Sequence, residues 1–148
     1  MYVVANIDAR AVWWQVEVRL NCSASVWPSA GKVAVRTLAS TDGKHFVEVG
    51  YDFSEPKTGF FVDHTQCCTA PNSIIQKANT LPLPSGGSLD LVVYVDSGLI
   101  EAFHGGRVIT PLISPDVASG GGPAERVSTV HNSAQGVKCA VESFQLKY

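Results

Sequence analysis

Residues 89–110 read LDLVVYVDSGLIEAFHGGRVIT, and every second residue from 89 to 95 is Leu or Val. Successive side chains of an extended strand point to opposite faces, so this alternation predicts a strand with one face in a core. Ser97-Gly98 and Gly105-Gly106 supply the small residues that tight hairpin turns require. The stretch therefore predicts three antiparallel strands that form a meander over residues 89–113.

The period of two continues on both sides of this meander. Near the N-terminus, one face of a predicted strand carries Trp14, Val16, Val18 and Leu20, and the other carries Trp13, Gln15, Glu17 and Arg19. Asp42-Gly43 predicts a second hairpin between residues 33–38 and 46–51. Further strands are predicted at residues 59–63, 126–131 and 137–148. In the last of them the apolar positions change face, which predicts a bulge near Glu142.

Three prolines interrupt residues 69–84, so only one weak strand at a sheet edge is predicted there. No window of ten or more residues shows the apolar spacing of an amphipathic helix. Short strands joined by frequent turns indicate an all-β fold, namely an antiparallel two-sheet β-sandwich of the concanavalin A or jelly-roll type. With 148 residues, the chain is predicted to form a single β-sandwich domain over residues 1–148.

The composition argues against several classes of partner. Hydrophobic residues make up 45% of the chain, charged residues make up 16%, and the net charge is −2. Lysines and arginines are scattered, so we expect neither nucleic acid nor an acidic membrane surface as a partner. The longest apolar runs have about six residues, far short of the roughly 20 that span a bilayer. Residues 1–20 lack the basic start and apolar block of a targeting segment.

The chain has four cysteines and four histidines, and their spacing matches no common zinc motif. We therefore expect no metal site. The adjacent Cys67 and Cys68 point to opposite faces of an extended strand, so they are not expected to bond each other. The expectation is that all four cysteines are free thiols, and a single bridge between Cys22 and Cys139 is the alternative.

The meander also carries a family resemblance. Residues 95–107, VDSGLIEAFHGGR, resemble the pattern V-D-x-S-x-V-E-V-F-x-N-G-G, which belongs to the C-terminal β-sandwich of glycoside hydrolase family 32. That family contains invertases, inulinases, levanases and fructosyltransferases. In the same order, FVDHT at 61–65 resembles I-D-R-T, LPL at 81–83 resembles A-P-L, and STDG at 40–43 with VGYD at 49–52 matches an earlier hairpin. The resemblance covers Trp14 to Tyr148, with His64 in place of the usual Arg and one residue missing before Gly105.

The resemblance implies a function without catalysis. In the family, the chemistry belongs to a separate N-terminal five-bladed propeller with W-M-N-D-P-N-G, R-D-P and E-C segments, and none of these segments occurs here. The resemblance therefore implies an accessory module that stabilises or modulates a glycoside hydrolase. The implied partner is a catalytic propeller, no cofactor is expected, and a secreted or vacuolar location is implied. The chain alone is not expected to be an enzyme.

Two alternatives keep the module independent of a propeller. The first is a free-standing lectin-like domain that binds fructan or another glycan. Trp13 and Trp27 are its candidate stacking residues, because sugar rings present apolar C–H faces, and Asp96 and His104 are candidate hydrogen-bonding residues at turns. The second is a homo-oligomeric domain whose partner is another copy of itself through an exposed apolar patch. Glu101, between Leu99 and Phe103, is expected to be structural rather than catalytic.

Overall fold

The computed structural model describes residues 15–39, 44–67, 74–96, 98–112 and 127–145. These residues contain no helix, and none therefore that could cross a membrane. They form ten strands: β1 Gln15–Ser23, β2 Lys32–Ala39, β3 Val47–Asp52, β4 Phe60–Asp63, β5 Ile75–Ala78, β6 Ser88–Asp96, β7 Leu99–His104, β8 Arg107–Ile109, β9 Val127–Asn132 and β10 Lys138–Gln145.

The strands build two five-stranded antiparallel sheets. Sheet I has the order β10-β1-β6-β7-β8, and sheet II has the order β5-β4-β3-β2-β9. The predicted two-sheet sandwich is thereby confirmed. The meander β6-β7-β8 and the pairing of β2 with β3 also match the prediction, and β5 is the expected strand at a sheet edge. The last two predicted strands lie in different sheets: β9 is in sheet II and β10 is in sheet I.

The core lies between the two sheets and follows the alternation of the sequence. In β1, the inward side chains are at most 1% exposed, and the inward side chains of β6 and β2 are buried to the same degree. Burying one Val or Leu side chain contributes about 1.5–3 kcal/mol. The central inward residues of these three strands are Val16, Val18, Leu20, Cys22, Leu89, Leu91, Val93, Val95, Val33 and Val35.

The bulge predicted near Glu142 does not form. β1 and β10 keep one continuous register from Cys22 opposite Cys139 to Val16 opposite Gln145. Phe144 instead points outward, opposite Glu17, where the guanidinium of Arg19 lies 5.2 Å from its ring centroid. This cation–π contact accounts for the change of apolar parity without an extra residue in the strand.

The expectation of free thiols is wrong for every cysteine that the structure describes. Cys22 and Cys139 lie directly opposite each other on β1 and β10, with Cα atoms 4.0 Å apart, and they form a disulfide. Cys67 is also disulfide-bonded, and Cys68 lies outside the described residues. The first bridge joins residues 117 positions apart. The pairing of the two strands, rather than any local spacing, brings these thiols together.

Three charged side chains form a group on the outward side of sheet II. Glu48 on β3 is 2% exposed and accepts hydrogen bonds from Lys32 Nζ and from Arg36 Nε, the latter at 2.6 Å. The Lys32 ammonium also lies over the ring of Phe61, and the Arg36 guanidinium lies over the ring of Phe46. The carboxylate is therefore paired on both oxygens, which is the condition for burying a charge at tolerable cost.

The bridge generates a stability prediction. We expect the double variant Cys22→Ala/Cys139→Ala to lose about 2–5 kcal/mol of unfolding free energy, because the bridge restricts the unfolded chain. Urea titration monitored by circular dichroism measures the loss. The matched control is Ser23→Ala/Lys138→Ala, the next opposed pair on the same strands, which carries no bridge and should cost less than about 1 kcal/mol. Equal loss in both double variants would contradict a stabilising bridge.

The charged group generates a second prediction. Glu48→Gln should lower the unfolding free energy by about 2–3 kcal/mol, because it leaves two cations without a carboxylate at a buried position. The loss stays below that of a fully buried pair because the side chains of Lys32 and Arg36 are 33% and 28% exposed. Glu55→Gln, which removes the partner of Lys77 in an exposed pair, is the control and should leave the melting temperature nearly unchanged. A larger shift for Glu55→Gln than for Glu48→Gln would refute the assignment.

Candidate functional site

Trp27, one of the predicted sugar-stacking residues, lies in the loop that leaves β1. Its ring stacks on Phe53 with centroids 5.7 Å apart, and its Nε1 donates a hydrogen bond to the Pro84 carbonyl oxygen at 3.0 Å. The indole is half-buried and packs against the core cluster. Its orientation is therefore fixed by protein contacts. Trp13 lies outside the described residues.

The two predicted hydrogen-bonding residues have very different surroundings. His104 is 8% exposed, its ring packs edgewise against Tyr51 and Phe60, and its Nδ1 lies 2.8 Å from the Asp90 carbonyl oxygen. The ring thus belongs to the core. Asp96 is exposed at the end of β6 and accepts a hydrogen bond from Gln15 Nε2 at 2.8 Å.

These predicted residues are not brought together. Asp96 pairs with Gln15 at the start of β1, whereas the loop of Trp27 leaves β1 after Ser23. At about 3.3 Å per residue, the two ends of β1 are roughly 26 Å apart. A sugar-binding role for Trp13, Trp27, His104 or Asp96 stays a prediction, and the described ones do not form one site.

Several outward residues of sheet II are buried. Ala34, Glu48 and Phe61 point outward on this sheet, and each is at most 6% exposed. His131 on β9 lies opposite Ala34. Burial and, to a smaller extent, the charge of Arg36 lower the pKa of His131 below its usual 6.5, so its ring is neutral at pH 7.

The outer face of sheet I is acidic. Its strands pair in register, so residues opposite one another form rows across the sheet. One row holds Glu142, Arg19, Val92, Phe103 and Val108, the next holds Ala140, Asn21 and Asp90, and the row on the other side holds Phe144, Glu17, Tyr94 and Glu101. With Asp96, the described residues of this face carry five carboxylates against two cations, because the exposed Lys138 lies opposite Ser23 in the row beyond Asn21.

Neighbouring side chains hold the guanidinium of Arg19 in place on this face. Its Nε donates a hydrogen bond to Glu17, whose side chain is buried beneath it although it points outward. Phe144 packs against the same guanidinium from β10. The hydrogen bond to Glu17 and the charge of Glu17 raise the pKa of Arg19 above its usual value, and Tyr94 raises it to a smaller extent. The arginine is thus held on the side of the Glu17 row.

A groove opens on the other side of Arg19. It encloses about 250 Å³ and runs across β10, β1 and β6. Asn21 Nδ2 donates a hydrogen bond to the Asp90 carboxylate along one wall, and Ser88 Oγ donates to the same carboxylate at 3.0 Å. The other lining residues are Leu20, Leu91, Val92, Ala140 and Glu142.

The groove was not predicted from the sequence. The outward polar positions Glu17 and Arg19 were recognised on β1, but nothing local indicates that β10 lies beside them. Glu142 and Ala140 reach the groove only through pairing with a strand more than 100 residues away. Among the described residues, no group of three or more His, Cys, Asp or Glu side chains is arranged to hold a metal ion.

Two solved fungal enzymes contain a similar fold. The exo-inulinase from Aspergillus awamori matches with a TM-score of 0.62 and 21% identity, over 84% of this chain and 24% of that chain. The β-fructofuranosidase from Aspergillus kawachii matches with a TM-score of 0.65 and 19% identity, over 88% of this chain and 23% of that chain. This chain thus spans about a quarter of each enzyme.

A smaller protein shares the fold over nearly its whole length. Chicken galectin 2 matches with a TM-score of 0.55 and 10% identity, over 93% of this chain and 95% of that chain. No curated protein is similar in sequence to this chain at a significant level.

The family assignment comes from the sequence itself. The model described as glycosyl hydrolases family 32 C terminal matches residues 5–147, which is nearly the entire chain. The two fungal enzymes agree with this match, because the similar fold occupies only a minor part of each. This chain therefore belongs to the family of C-terminal domains of family 32 glycosyl hydrolases.

Proposed function

We propose that this chain is a non-catalytic accessory module that packs against the catalytic domain of a glycoside hydrolase and stabilises it. The observation that carries the proposal is the family match to a C-terminal domain over residues 5–147. The sandwich accounts for only 24% and 23% of the two fungal enzymes, so most of each enzyme lies outside the part that resembles this chain.

The outward surface near β8 supports packing against a neighbour. Phe103, Val108 and Leu112 are 39%, 54% and 80% exposed. Phe103 lies opposite Val108, and Leu112 bridges to Leu99, so all three lie on the outer side of sheet I at one edge. We call this group the apolar edge. Exposed apolar side chains that cluster at one edge are typical of a surface that contacts another domain.

The purified chain should release no fructose from sucrose, inulin or levan. Glycoside hydrolysis needs two carboxyl groups with separate roles around one bond, and the family places this chemistry in the propeller. Fructose is measured by a coupled enzymatic assay, with the exo-inulinase from Aspergillus awamori as positive control. Steady turnover that disappears in Glu101→Gln would overturn the non-catalytic role, because that carboxylate lies on a strand of the accessory sandwich itself.

The second candidate function is glycan binding by the free module. It is favoured by the fold match to chicken galectin 2, because that match spans 95% of that chain and not a minor part of it. In this function, Trp27 would stack on a sugar ring from its fixed position above Phe53, and Trp13 would serve as a second stacking residue. Asp96 would then need a second contact region, because it lies at the other end of β1. His104 is on the Trp27 side, where Tyr51 and Phe53 connect the two rings, but its ring is buried.

Calorimetry with inulin oligosaccharides tests this second function. If Trp27 stacks on sugar, Trp27→Ala should weaken saturable binding about fivefold, since one aromatic contact contributes about 0.5–1.5 kcal/mol. Trp27→Phe keeps an aromatic ring and should restore most of the affinity, which separates stacking from a loss of loop structure. Unchanged affinity in Trp27→Ala would remove this residue from any glycan site.

A further inference from the structure

The groove on the outer face of sheet I is an open space between fixed polar side chains. It exists because Arg19 is drawn toward Glu17 and Phe144, away from the row of Asn21 and Asp90. Ala140 also lines the groove, and its small side chain leaves the space beside Arg19 and Asn21 unfilled. Neighbouring strands are about 4.8 Å apart, so a groove across three strands is roughly 10 Å wide, close to one or two sugar rings.

Two charged groups of the groove, those of Asp90 and Arg19, are held in place before any ligand arrives. The Asp90 carboxylate accepts hydrogen bonds from Asn21 Nδ2 and Ser88 Oγ, which fix its orientation. The Arg19 guanidinium is held by Glu17 and packed on Phe144. Fixed groups lose little conformational entropy when they bind a ligand, which is the physical basis of preorganised recognition.

Glu142 is the one groove carboxylate left without such a partner. It lies directly opposite Arg19 on β10, yet Arg19 pairs with Glu17 instead. Within the described part of the chain, its side chain has neither a hydrogen bond nor an ion pair. An exposed carboxylate at the rim of a groove, facing a second carboxylate on Asp90, is free to accept hydrogen bonds from a ligand.

We propose that this groove binds a neutral saccharide unit through its adjacent hydroxyl groups. A sugar hydroxyl both donates and accepts hydrogen bonds, and the groove supplies both kinds of partner. The Asp90 and Glu142 carboxylates accept, and the Arg19 guanidinium and the Asn21 amide can donate. Val92 and Ala140 give the C–H side of the ring an apolar surface.

Charge selects against anionic ligands. The charge of Arg19 is matched by Glu17, and the two carboxylates of Asp90 and Glu142 outnumber the one ammonium of Lys138 in the neighbouring row, so the groove keeps a negative balance. A phosphate or sulfate group would meet this repulsion at short range. A neutral saccharide meets none and keeps every hydrogen bond. The ligand class is therefore a neutral, hydroxyl-rich sugar.

This site is separate from the functions proposed above. The groove lies on β10, β1 and β6, and the apolar edge lies on β7 and β8. The two surfaces adjoin where Val92 lies opposite Phe103, whereas the groove residues Ala140 and Glu142 lie on β10 at the other edge of the sheet. A catalytic domain packed on the apolar edge need not reach β10, which is three strands away from β7. The binding site also uses none of the predicted residues Trp27, His104 and Asp96. It can fail while the accessory role holds, and the reverse is also true.

The test is a titration of the ¹⁵N-labelled full chain with sucrose, kestose, lactose and maltose, followed by NMR. We expect saturable shifts with at least one of these neutral sugars, at dissociation constants on the order of millimolar. The shifted amides should cluster at Arg19, Asn21, Asp90 and Glu142. Glucose 6-phosphate should bind at least several-fold more weakly than glucose.

Two substitutions test whether the sugar binds in the groove. Glu142→Gln and Asp90→Asn remove one carboxylate each and should weaken sugar binding about tenfold, as expected for a hydrogen bond to a charged acceptor. Glu142→Gln disturbs no described contact, so its folding should match the wild type. Glu101→Gln, on the same face but outside the groove, is the matched control and should bind normally.

Three outcomes would overturn the proposal. The first is no saturable binding of any of the four sugars to the folded chain. The second is binding that both Glu142→Gln and Asp90→Asn leave intact. The third is binding lost in Trp27→Ala with shifts confined to the Trp27 loop, which would assign the sugar to that loop. Fructose release by the chain tests the accessory role separately and does not bear on this groove.

Discussion

The structure depends on one long-range constraint, the position of β1 between β6 and β10. Antiparallel pairing on both sides satisfies the backbone hydrogen bonds of a strand whose inward face is almost fully buried. The disulfide between Cys22 and Cys139 ties β1 to β10 at one end of this pairing. Because β10 is the last strand and β1 the first of the described residues, the pairing joins the two ends of the sandwich. Without it, sheet I would lose an edge strand, and β1 would become the edge.

The same constraint builds the outer surface of sheet I. Strand pairing sets the row that places Glu142 beside Arg19, and the row that places Ala140 beside Asn21. Arg19, in the middle of this face, has two neighbouring carboxylates, Glu17 and Glu142. It pairs with Glu17, where Phe144 adds a cation–π contact. That choice leaves a groove on one side and an unpaired carboxylate at its rim. A surface property of the domain thus follows from how its first and last strands meet.

The two sheets have different outer faces, and this difference bears on function. Sheet II buries an outward carboxylate, Glu48, between Lys32 and Arg36. Sheet I keeps an acidic groove near β10 and an apolar edge near β8. A module with two distinct surfaces on one sheet can contact a neighbouring domain with one and a small ligand with the other. Membership of a family of C-terminal domains is consistent with the first contact, and the chemistry of the groove supports the second.

The sequence alone determined the strand content, the meander of residues 89–113, the hairpin of β2 and β3 and the family. These features depend on neighbours within a few residues, where the alternation of side chains and the turn residues are directly visible. Only the tertiary structure decided that Cys22 meets Cys139, that Phe144 points outward in a regular strand, and that His104 lies in the core. It also decided the groove. Local periodicity states which face of a strand is apolar, but it does not state which of ten strands lies next to it. That choice is made by the packing of the whole sandwich, across more than 100 residues of chain.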